Sequence, residues 1–211
     1  KIRFTIIDPT GLGQNFSAFM HLADYDERLV GHRIWTEATH INQRLADLTE
    51  HMENVIQKYL RNQFDSIQHY NETAGEVAEP FRVLVVANFP THFSEEATRR
   101  LISIANSGPR CGVYTLISVD VASRMPRHVQ WSDLEANANV LVWEHGRFRW
   151  QAENLAKLEL QLTPPPDDPS MTAVIQAAGR HAQQSSRVEV PFSFVTPEAS
   201  QRWTFDSSTG I

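Results

Sequence analysis

One predicted strand of this sequence ends where metal chemistry would be expected, yet the residues there carry no carboxylate. Phe81 to Asn88 reads FRVLVVAN, in which Phe81 to Ala87 are apolar except for Arg82, and is followed by Phe-Pro. An apolar strand that ends on two acidic residues can hold Mg²⁺ and polarise an attacking water. Ala87 and Asn88 occupy those two positions, and neither side chain can act as a carboxylate. The sequence therefore predicts the scaffold of such a site more clearly than its activity.

Two other acidic residues lie at predicted strand ends and are the obvious substitutes. Asp8 follows the apolar run Ile2 to Ile7, and Asp120 follows the run Val113 to Val119. An active magnesium site would have to use one of them. The turn Thr10 to Gly13 is only loosely like a phosphate-binding loop, because it lacks the third glycine and the lysine. A plain turn is the favoured interpretation.

Histidine and acidic clusters do not indicate a metal centre. The nine histidines are scattered along the chain, with no close pair at the spacing of helical metal ligands. The acidic groups at Asp24 to Glu27 and at Asp167 and Asp168 fall in predicted loops, where solvated charge is expected rather than calcium binding. The sequence thus predicts no metal site.

Arginines are frequent between the second predicted helix and the end of the sheet. Such a group could contact DNA phosphates, or its members could be solvated or lie between subunits. The net charge of −6 and the absence of interleaved aromatic residues favour the second interpretation. The candidates are Arg99, Arg100, Arg110, Arg124 and Arg127.

The composition is that of a globular protein, with 41% apolar and 21% charged residues. No run approaches the ~20 apolar residues of a membrane span, and the N-terminus lacks a secretory signal pattern. The single cysteine, Cys111, cannot form an internal disulfide, which predicts a buried thiol in a reducing cytoplasm. The chain starts in a strand without a Met and stops after a turn. We expect a cytoplasmic piece of a longer polypeptide, with no membrane contact of its own.

Hydrophobic periodicity predicts alternating strands and helices. Apolar residues at steps of three and four from Ile41 to Tyr59 predict one amphipathic helix of about seven turns, with Thr36 as its N-cap. Ser94 is expected to cap a second helix, Glu95 to Ser107, and Val113 to Val119 to form the next buried strand. Strand, helix and strand with short connections imply parallel pairing. The predicted fold class is α/β, a parallel sheet flanked by helices.

After Pro126 the alternation of predicted strands and helices gives way to short predicted strands. Asn139 to Trp143 and Arg147 to Trp150 flank the segment Glu144 to Gly146, which predicts a β-hairpin. A third short strand is predicted over Leu158 to Leu162. This region reads as a β segment appended to the sheet.

A proline-rich segment separates the last part of the chain. Pro164 to Pro169 is predicted to be a stiff, polar linker. Ser170 is expected to cap a helix that runs to about Gln184, and Val188 to Phe194 is predicted to be a strand.

Five stretches together resemble a known family. Ile6 to Pro9 reads IIDP, the long helix ends near Lys58 to Leu60, and Tyr70-Asn71 precedes the apolar strand at Val83 to Val86. The stretch Ser107 to Leu116 reads SGPRCGVYTL. In order and spacing these elements resemble the FtsK/SpoIIIE group of DNA-translocating motor domains, over roughly residues 1 to 125.

The resemblance implies a RecA-like P-loop ATPase core that works in a ring or in tandem with neighbouring motor cores and handles double-stranded DNA. ATP and Mg²⁺ would serve the parent motor, with none expected in this piece. The glycine-rich loop would lie upstream of Lys1, and the acidic pair falls on Ala87 and Asn88. The resemblance implies a degenerate core over 1–126, the appended β segment over 127–163, and a lead-in to a following motor core over 164–211.

Two functions remain open at this point. The chain is either a non-hydrolysing structural or regulatory core of a DNA translocase, or a protein-interaction module of a related secretion motor without DNA contact. An active ATPase requires a phosphate loop upstream and Asp8 or Asp120 as a replacement carboxylate.

Overall fold

The fold is seen in a computed structural model that describes residues 1–152, 155, 158 and 160–186. Its centre is a three-stranded sheet in the order β1-β2-β3, and both neighbouring pairs are parallel. The strands are β1 (Ile2–Ile7), β2 (Phe81–Phe89) and β3 (Val113–Val119). The predicted α/β fold with a parallel sheet flanked by helices is confirmed.

Helices connect the strands in the described part of the chain. The α-helices are α1 (Ala38–Asn54), α2 (Ile67–Ala74), α3 (Glu95–Ser107), α4 (Trp131–Glu135) and α5 (Asp168–Ser186). Shorter 3-10 segments are Gln14–Leu22, Glu27–Leu29, Gly75–Val77 and Pro109–Cys111.

The main hydrophobic core lies between one face of the sheet and the helices α1 and α3. Leu84 and Val86 of β2 point into it and are at most 1% exposed. Because both helices are amphipathic, their apolar stripes cover these strand residues. The helix residues of this core include Ile41, Leu45, Leu48, Leu101 and Ile104.

The opposite face is covered over β1 but not over β3. The 3-10 segment Gln14–Leu22 and helix α5 pack over Phe4 and Ile6. On β3 the same face presents Tyr114 and Leu116, which are 43% and 62% exposed. The prediction that Val113 to Val119 is a buried strand is therefore wrong in its burial. β3 is the edge strand, and no described element covers this face of it.

The start and end of α1 differ from the prediction. Glu37 occupies the N-cap position, and its side chain makes no capping hydrogen bond. The prediction of Thr36 as N-cap is wrong, because the first helical hydrogen bond runs from the backbone N–H of Ile41 to the carbonyl oxygen of Glu37 at 2.9 Å. The carbonyl oxygen of Thr36 instead accepts from Nδ1 of His92 at 3.1 Å. The long helix is also in two parts, since Val55–Leu60 continues α1 as a π-helix.

Helix α3 begins and ends as predicted. The Ser94 hydroxyl oxygen accepts a hydrogen bond from the backbone N–H of Ala97 at 3.1 Å, which satisfies a free donor of the first turn. Gly108 follows the last turn. A Cβ there would lie 2.3 Å from the carbonyl oxygen of Ile104 and 2.6 Å from that of Val113, so only glycine allows the chain to enter β3 this closely.

The predicted hairpin is confirmed as β4 (Leu141–Glu144) paired antiparallel with β5 (Arg147–Trp150). Its turn residues His145 and Gly146 have φ of 52° and 80°, as a two-residue hairpin turn requires. The predicted third strand lies only partly within the described residues, where Leu160 makes an isolated antiparallel bridge to Phe148.

Helix α5 is capped by Asp167, not by Ser170 as predicted. The Asp167 carboxylate accepts from the backbone N–H of Ser170 at 3.1 Å, so the helix begins three residues earlier than predicted, at Asp168. Gly179 meets the side chain of Tyr25, where a Cβ would lie 2.3 Å from the ring. The predicted strand Val188 to Phe194 lies outside the described residues.

Candidate functional site

The carboxyl ends of the three parallel strands meet at one edge of the sheet, where open α/β sheets bind their ligands. β1 ends before Asp8, β2 passes through Ala87 and Asn88, and β3 ends before Asp120. All candidate positions for the magnesium site therefore lie along this edge.

Asn88 connects the three strand ends. Its backbone N–H donates to Oγ of Ser118 in β3 at 2.9 Å. Its side-chain Nδ2 donates to Oγ1 of Thr10, in the turn after β1, at 2.6 Å. The residue has a φ of 53°, in the left-handed region that Asn tolerates better than most residues. We call these two hydrogen bonds the Asn88 tie.

Ala87 and Asn88 sit in an irregularity of the sheet. The pairing of β2 with β3 shifts in register between Val86 and Phe89. Ala87 is only 7% exposed. A carboxylate at this position would be buried, which is unfavourable unless a counter-charge or several donors accompany it. The methyl group suits the local environment.

Asp8 is fully buried, at 0% exposure, and uses its carboxylate to fold the following turn. Oδ1 accepts from the backbone N–H of Gly11 at 3.1 Å, and Oδ2 accepts from Nδ2 of Asn15 at 3.2 Å. A Cβ on Gly11 would lie 2.5 Å from Asp8 Oδ2 and from Asn15 Nδ2. Only glycine permits this turn, and both carboxylate oxygens have partners within it.

Asp120 likewise binds within its own turn. Its carboxylate accepts from the backbone N–H of Ala122 at 3.0 Å and from the Ser123 hydroxyl at 2.7 Å. These hydrogen bonds, the hydroxyl first, lower the pKa of Asp120. The group is exposed and ionised, and it stabilises the turn that follows β3.

Neither a cluster of three metal-ligand side chains among the described residues nor a phosphate-binding loop in the sequence is present. Among the described residues, no three His, Cys, Asp or Glu side chains approach closely enough to hold a metal ion. The sequence contains no glycine-rich loop followed by Lys and Ser or Thr, which is the usual cradle for phosphates. Chemically, the arrangement holds the strand ends together by hydrogen bonds.

The five arginines predicted as DNA contacts are spread over the structure. Arg99 and Arg100 form exposed ion pairs with the first turn of α3, at 3.1 and 2.9 Å. Arg110 lies beyond the other end of that helix, where its Nε donates to the backbone carbonyl of Asp65 at 2.9 Å. Arg124 and Arg127 follow β3. DNA contact through these residues stays a prediction.

Sequence reasoning located the acid positions but missed their partners. Thr10 and Ser118 complete the Asn88 tie, and Asn15 completes the Asp8 turn. The only available signal was the presence of small polar residues next to strand ends. The predicted buried thiol is confirmed, since Cys111 is 1% exposed and burial raises its pKa.

Comparison with known proteins finds solved structures of ATPases with a similar fold. No family model and no curated protein matches the sequence. EssC (ATPases 2 and 3) from Geobacillus thermodenitrificans is 15% identical, with a TM-score of 0.57 over 90% of this chain and 39% of that one. The cytoplasmic domain of EssC is 14% identical, with a TM-score of 0.50 over 90% of this chain and 40% of that one.

A third similar structure is the pCW3 conjugation coupling protein TcpA, in its monomer form with ATPγS. It is 14% identical, with a TM-score of 0.44 over 56% of this chain and 34% of that one. At these identities the EssC matches show the fold, an ATPase-type α/β sheet, and this chain spans about two fifths of the EssC structures. Among the described residues, no helix is both long and apolar enough to cross a bilayer.

Proposed function

We propose that this chain is part of an FtsK-like motor protein and forms a core that does not itself hydrolyse ATP. The observation that carries the proposal is the Asn88 tie, located where a catalytic acid would stand on a sheet that matches EssC ATPases over 90% of the chain. The fold supports the motor class, and the tie supports the loss of hydrolysis.

The missing groups are those that lower the barrier to phosphoryl transfer. Carboxylates hold the metal ion and polarise the attacking water, and each contributes several kcal/mol. Losing about 4 kcal/mol slows a reaction roughly a thousandfold. Asp8 and Asp120 have partners in their own turns, so neither is positioned by the described contacts to replace the missing acids.

The proposed role is structural or regulatory, beside other motor cores of the same polypeptide or ring. One similar structure carries two ATPases in one chain by its own name. In the proposal, 1–126 is the degenerate core, 127–163 the appended β segment and 164–211 the lead-in to a following core. Among the described residues β3 pairs only with β2 and is the edge of the sheet, so a strand from outside these residues would extend the sheet along β3.

A second candidate is a protein-handling motor without DNA contact. It is favoured by the net charge of −6 and by the internal hydrogen bond or ion pairs of Arg99, Arg100 and Arg110. In either case we place the core in the cytoplasm, which the single buried thiol of Cys111 supports.

Salt-dependent DNA binding separates the two candidates. Duplex DNA affinity of the full-length polypeptide should be measured between 50 and 200 mM salt, where a protein that neutralises several phosphates loses affinity steeply. A double substitution of Arg124 and Arg127 to Gln tests the two arginines without a described partner, and Lys58→Gln, at an exposed cation outside the five candidates, is the control. A steep slope that only the double variant reduces supports DNA handling by this core. The absence of a slope supports the protein-handling motor.

Non-hydrolysis is tested by Asn88→Gly in the same full-length polypeptide. Because the tie is structural in this proposal, ATPase activity per folded molecule should stay within about twofold of the unmodified protein. The matched control replaces the phosphate-loop lysine of a following core, where the flanking sequence contains one, and should abolish activity. A loss of activity in both variants at equal folded fraction would make position 88 catalytic and refute the proposal.

A further inference from the structure

The amino-terminal edge of the sheet, opposite the Asn88 tie, carries a group of charged side chains that the motor proposal does not use. Arg3 of β1 and Arg82 of β2 are register partners. Directly opposed residues on neighbouring strands point to the same face, and the strands lie about 4.8 Å apart. Two guanidinium groups therefore share one small region of the sheet, next to His51 of α1.

Glu79 is the only described carboxylate within ion-pair distance of this arginine pair. Its Oε1 lies 3.9 Å from Nη2 of Arg82 and 4.0 Å from Nδ1 of His51. Both distances exceed hydrogen-bond length. Its charge also raises the pKa of Tyr59. One carboxylate is thus shared among several groups and bonded tightly to none of the cations.

Asn71 holds the backbone of Glu79 in place. Nδ2 of Asn71 donates to the backbone carbonyl of Glu79 at 2.8 Å, and its Oδ1 accepts from the backbone N–H of Glu79 at 2.8 Å. These two hydrogen bonds fix the backbone just before β2. Glu79 therefore stays beside the amino-terminal end of β2, next to the guanidinium of Arg82.

The next acidic residue is already neutralised. Asp26 is near enough for the charge of Arg3 to contribute to its lowered pKa. However, its carboxylate binds the guanidinium of Arg28 through contacts of 3.0, 3.2 and 2.9 Å. The charges left in this region are then two positive guanidinium groups, those of Arg3 and Arg82, and one negative carboxylate, that of Glu79.

This surplus positive charge lies in a partly buried place with unpaired side-chain nitrogens. The side chains of His51, Glu79 and Arg82 are 11%, 17% and 25% exposed. Nε of Arg82 and Nε2 of His51 are buried without a hydrogen-bond partner. Burial, followed by the charges of Arg82 and Arg3, lowers the pKa of His51 to about 4. The protein's own groups leave the region short of negative charge.

We propose that Arg3, His51, Glu79 and Arg82, called the arginine cluster below, bind a small oxyanion of the phosphate or carboxylate type. An anion with two or more oxygens can bridge two guanidinium groups on adjacent strands, and guanidinium forks match such oxygens geometrically. The bound anion would bring the count to two positive and two negative groups. This inference does not depend on the motor assignment.

Thermal unfolding of the 211-residue chain tests the inference. Inorganic phosphate and acetate are each compared with sodium chloride at equal ionic strength. Binding predicts a saturable rise in Tm of about 4 °C at tenfold excess over Kd. A response to acetate as well as phosphate indicates a carboxylate, such as an acidic side chain of another protein, and a response to phosphate alone indicates a free phosphate. A rise that is linear in both salts reflects general exclusion from the protein surface and overturns the inference.

Matched variants connect the effect to the arginine cluster. Arg3→Gln removes one guanidinium that has no described ion pair and should abolish the saturable rise. Arg99→Gln removes an exposed guanidinium on α3 and should leave the rise unchanged. An equal response from both variants would contradict the proposed location.

Histidine NMR on the unmodified chain gives a readout that does not rely on a variant folding. The imidazole resonances of His51, assigned with His51→Asn, report its pKa. A bound anion favours the protonated ring, and phosphate remains a monoanion near pH 4, so phosphate should raise this pKa above its value of about 4. Resonances of His51 that titrate identically with and without phosphate would overturn the inference.

Discussion

Asn88 offers a strong test because two substitutions separate the loss of its side-chain hydrogen bond from the strain of a Cβ at positive φ. Asn88→Gly removes the amide and leaves a residue that adopts a φ of 53° without strain. Asn88→Ala removes the same amide but keeps a Cβ in the left-handed region, at a cost of roughly 1–2 kcal/mol. Glycine should therefore be the more stable replacement, the reverse of the usual order within a strand.

The magnitudes come from one hydrogen bond and one strained residue. The exposed bond from Asn88 to Thr10, 2.6 Å long, is worth about 1 kcal/mol of net stability. Both variants lose it. The alanine variant regains about 0.4–1 kcal/mol of stability, because alanine restricts the unfolded chain more than glycine does. After the strain at Cβ is subtracted, the glycine variant should be more stable than the alanine variant by about 0.5–1 kcal/mol. At Leu116, an exposed position in regular strand, alanine should exceed glycine by about 0.5–1 kcal/mol.

Urea unfolding of the four variants at Asn88 and Leu116 checks the sign. At each position the free energy of unfolding of the Ala variant is subtracted from that of the Gly variant. The unfolded-chain entropy contributes about equally to both differences, so it largely cancels when position 88 is compared with position 116. Thr10→Val, alone and combined with Asn88→Gly, gives a double-mutant cycle whose coupling should be about 1 kcal/mol. An alanine at 88 that is more stable than a glycine, or a coupling near zero, would refute the account of the tie.

Further outcomes concern the turn after β1, the cap of α3 and pH. Gly11→Ala should lower stability by about 2 kcal/mol in urea unfolding, because the new Cβ meets the Asp8 carboxylate. Ser94→Ala should lower it by about 1 kcal/mol through loss of the N-cap. The pKa of His51 is about 4 when folded and about 6.5 unfolded, so the unfolded state takes up the proton first as pH falls. Stability should drop by about 3 kcal/mol between pH 6.5 and 4, and His51→Asn should flatten this pH dependence.

Local patterns predicted the elements whose signals lie within a few residues. The strand β2 is apolar on both faces, and helix α3 has its cap at Ser94 and its stop at Gly108. In both cases the stabilising partners are close in sequence, so propensity and periodicity are sufficient. The predicted cap of α1 failed for the opposite reason, because the carbonyl oxygen of Thr36 hydrogen-bonds to His92, which lies 56 residues away.

Features that depend on tertiary contacts between distant parts of the sequence could not be predicted. Periodicity shows that β3 is apolar, but whether a helix covers Leu116 is decided by the path of the rest of the chain. The same holds at position 88, where the sequence shows an amide in place of an acid. That the amide bonds to Thr10, 78 residues earlier, is a tertiary fact. Arg82 was visible as the one charge in an apolar strand, whereas its pairing with Arg3 follows only from the parallel register.

The two ends of the sheet differ in how their polar groups are satisfied. At the carboxyl edge, a carboxylate at position 88 would lack the N–H that Asn88 donates to Thr10, and one at position 87 would be buried. The amide and the methyl group therefore favour the closed strand ends, and metal binding at this edge would require several residues to change together. At the amino edge, by contrast, Arg3 and Arg82 leave positive charge that the described residues do not neutralise. The unsatisfied charge of the sheet therefore lies at the end opposite Asn88.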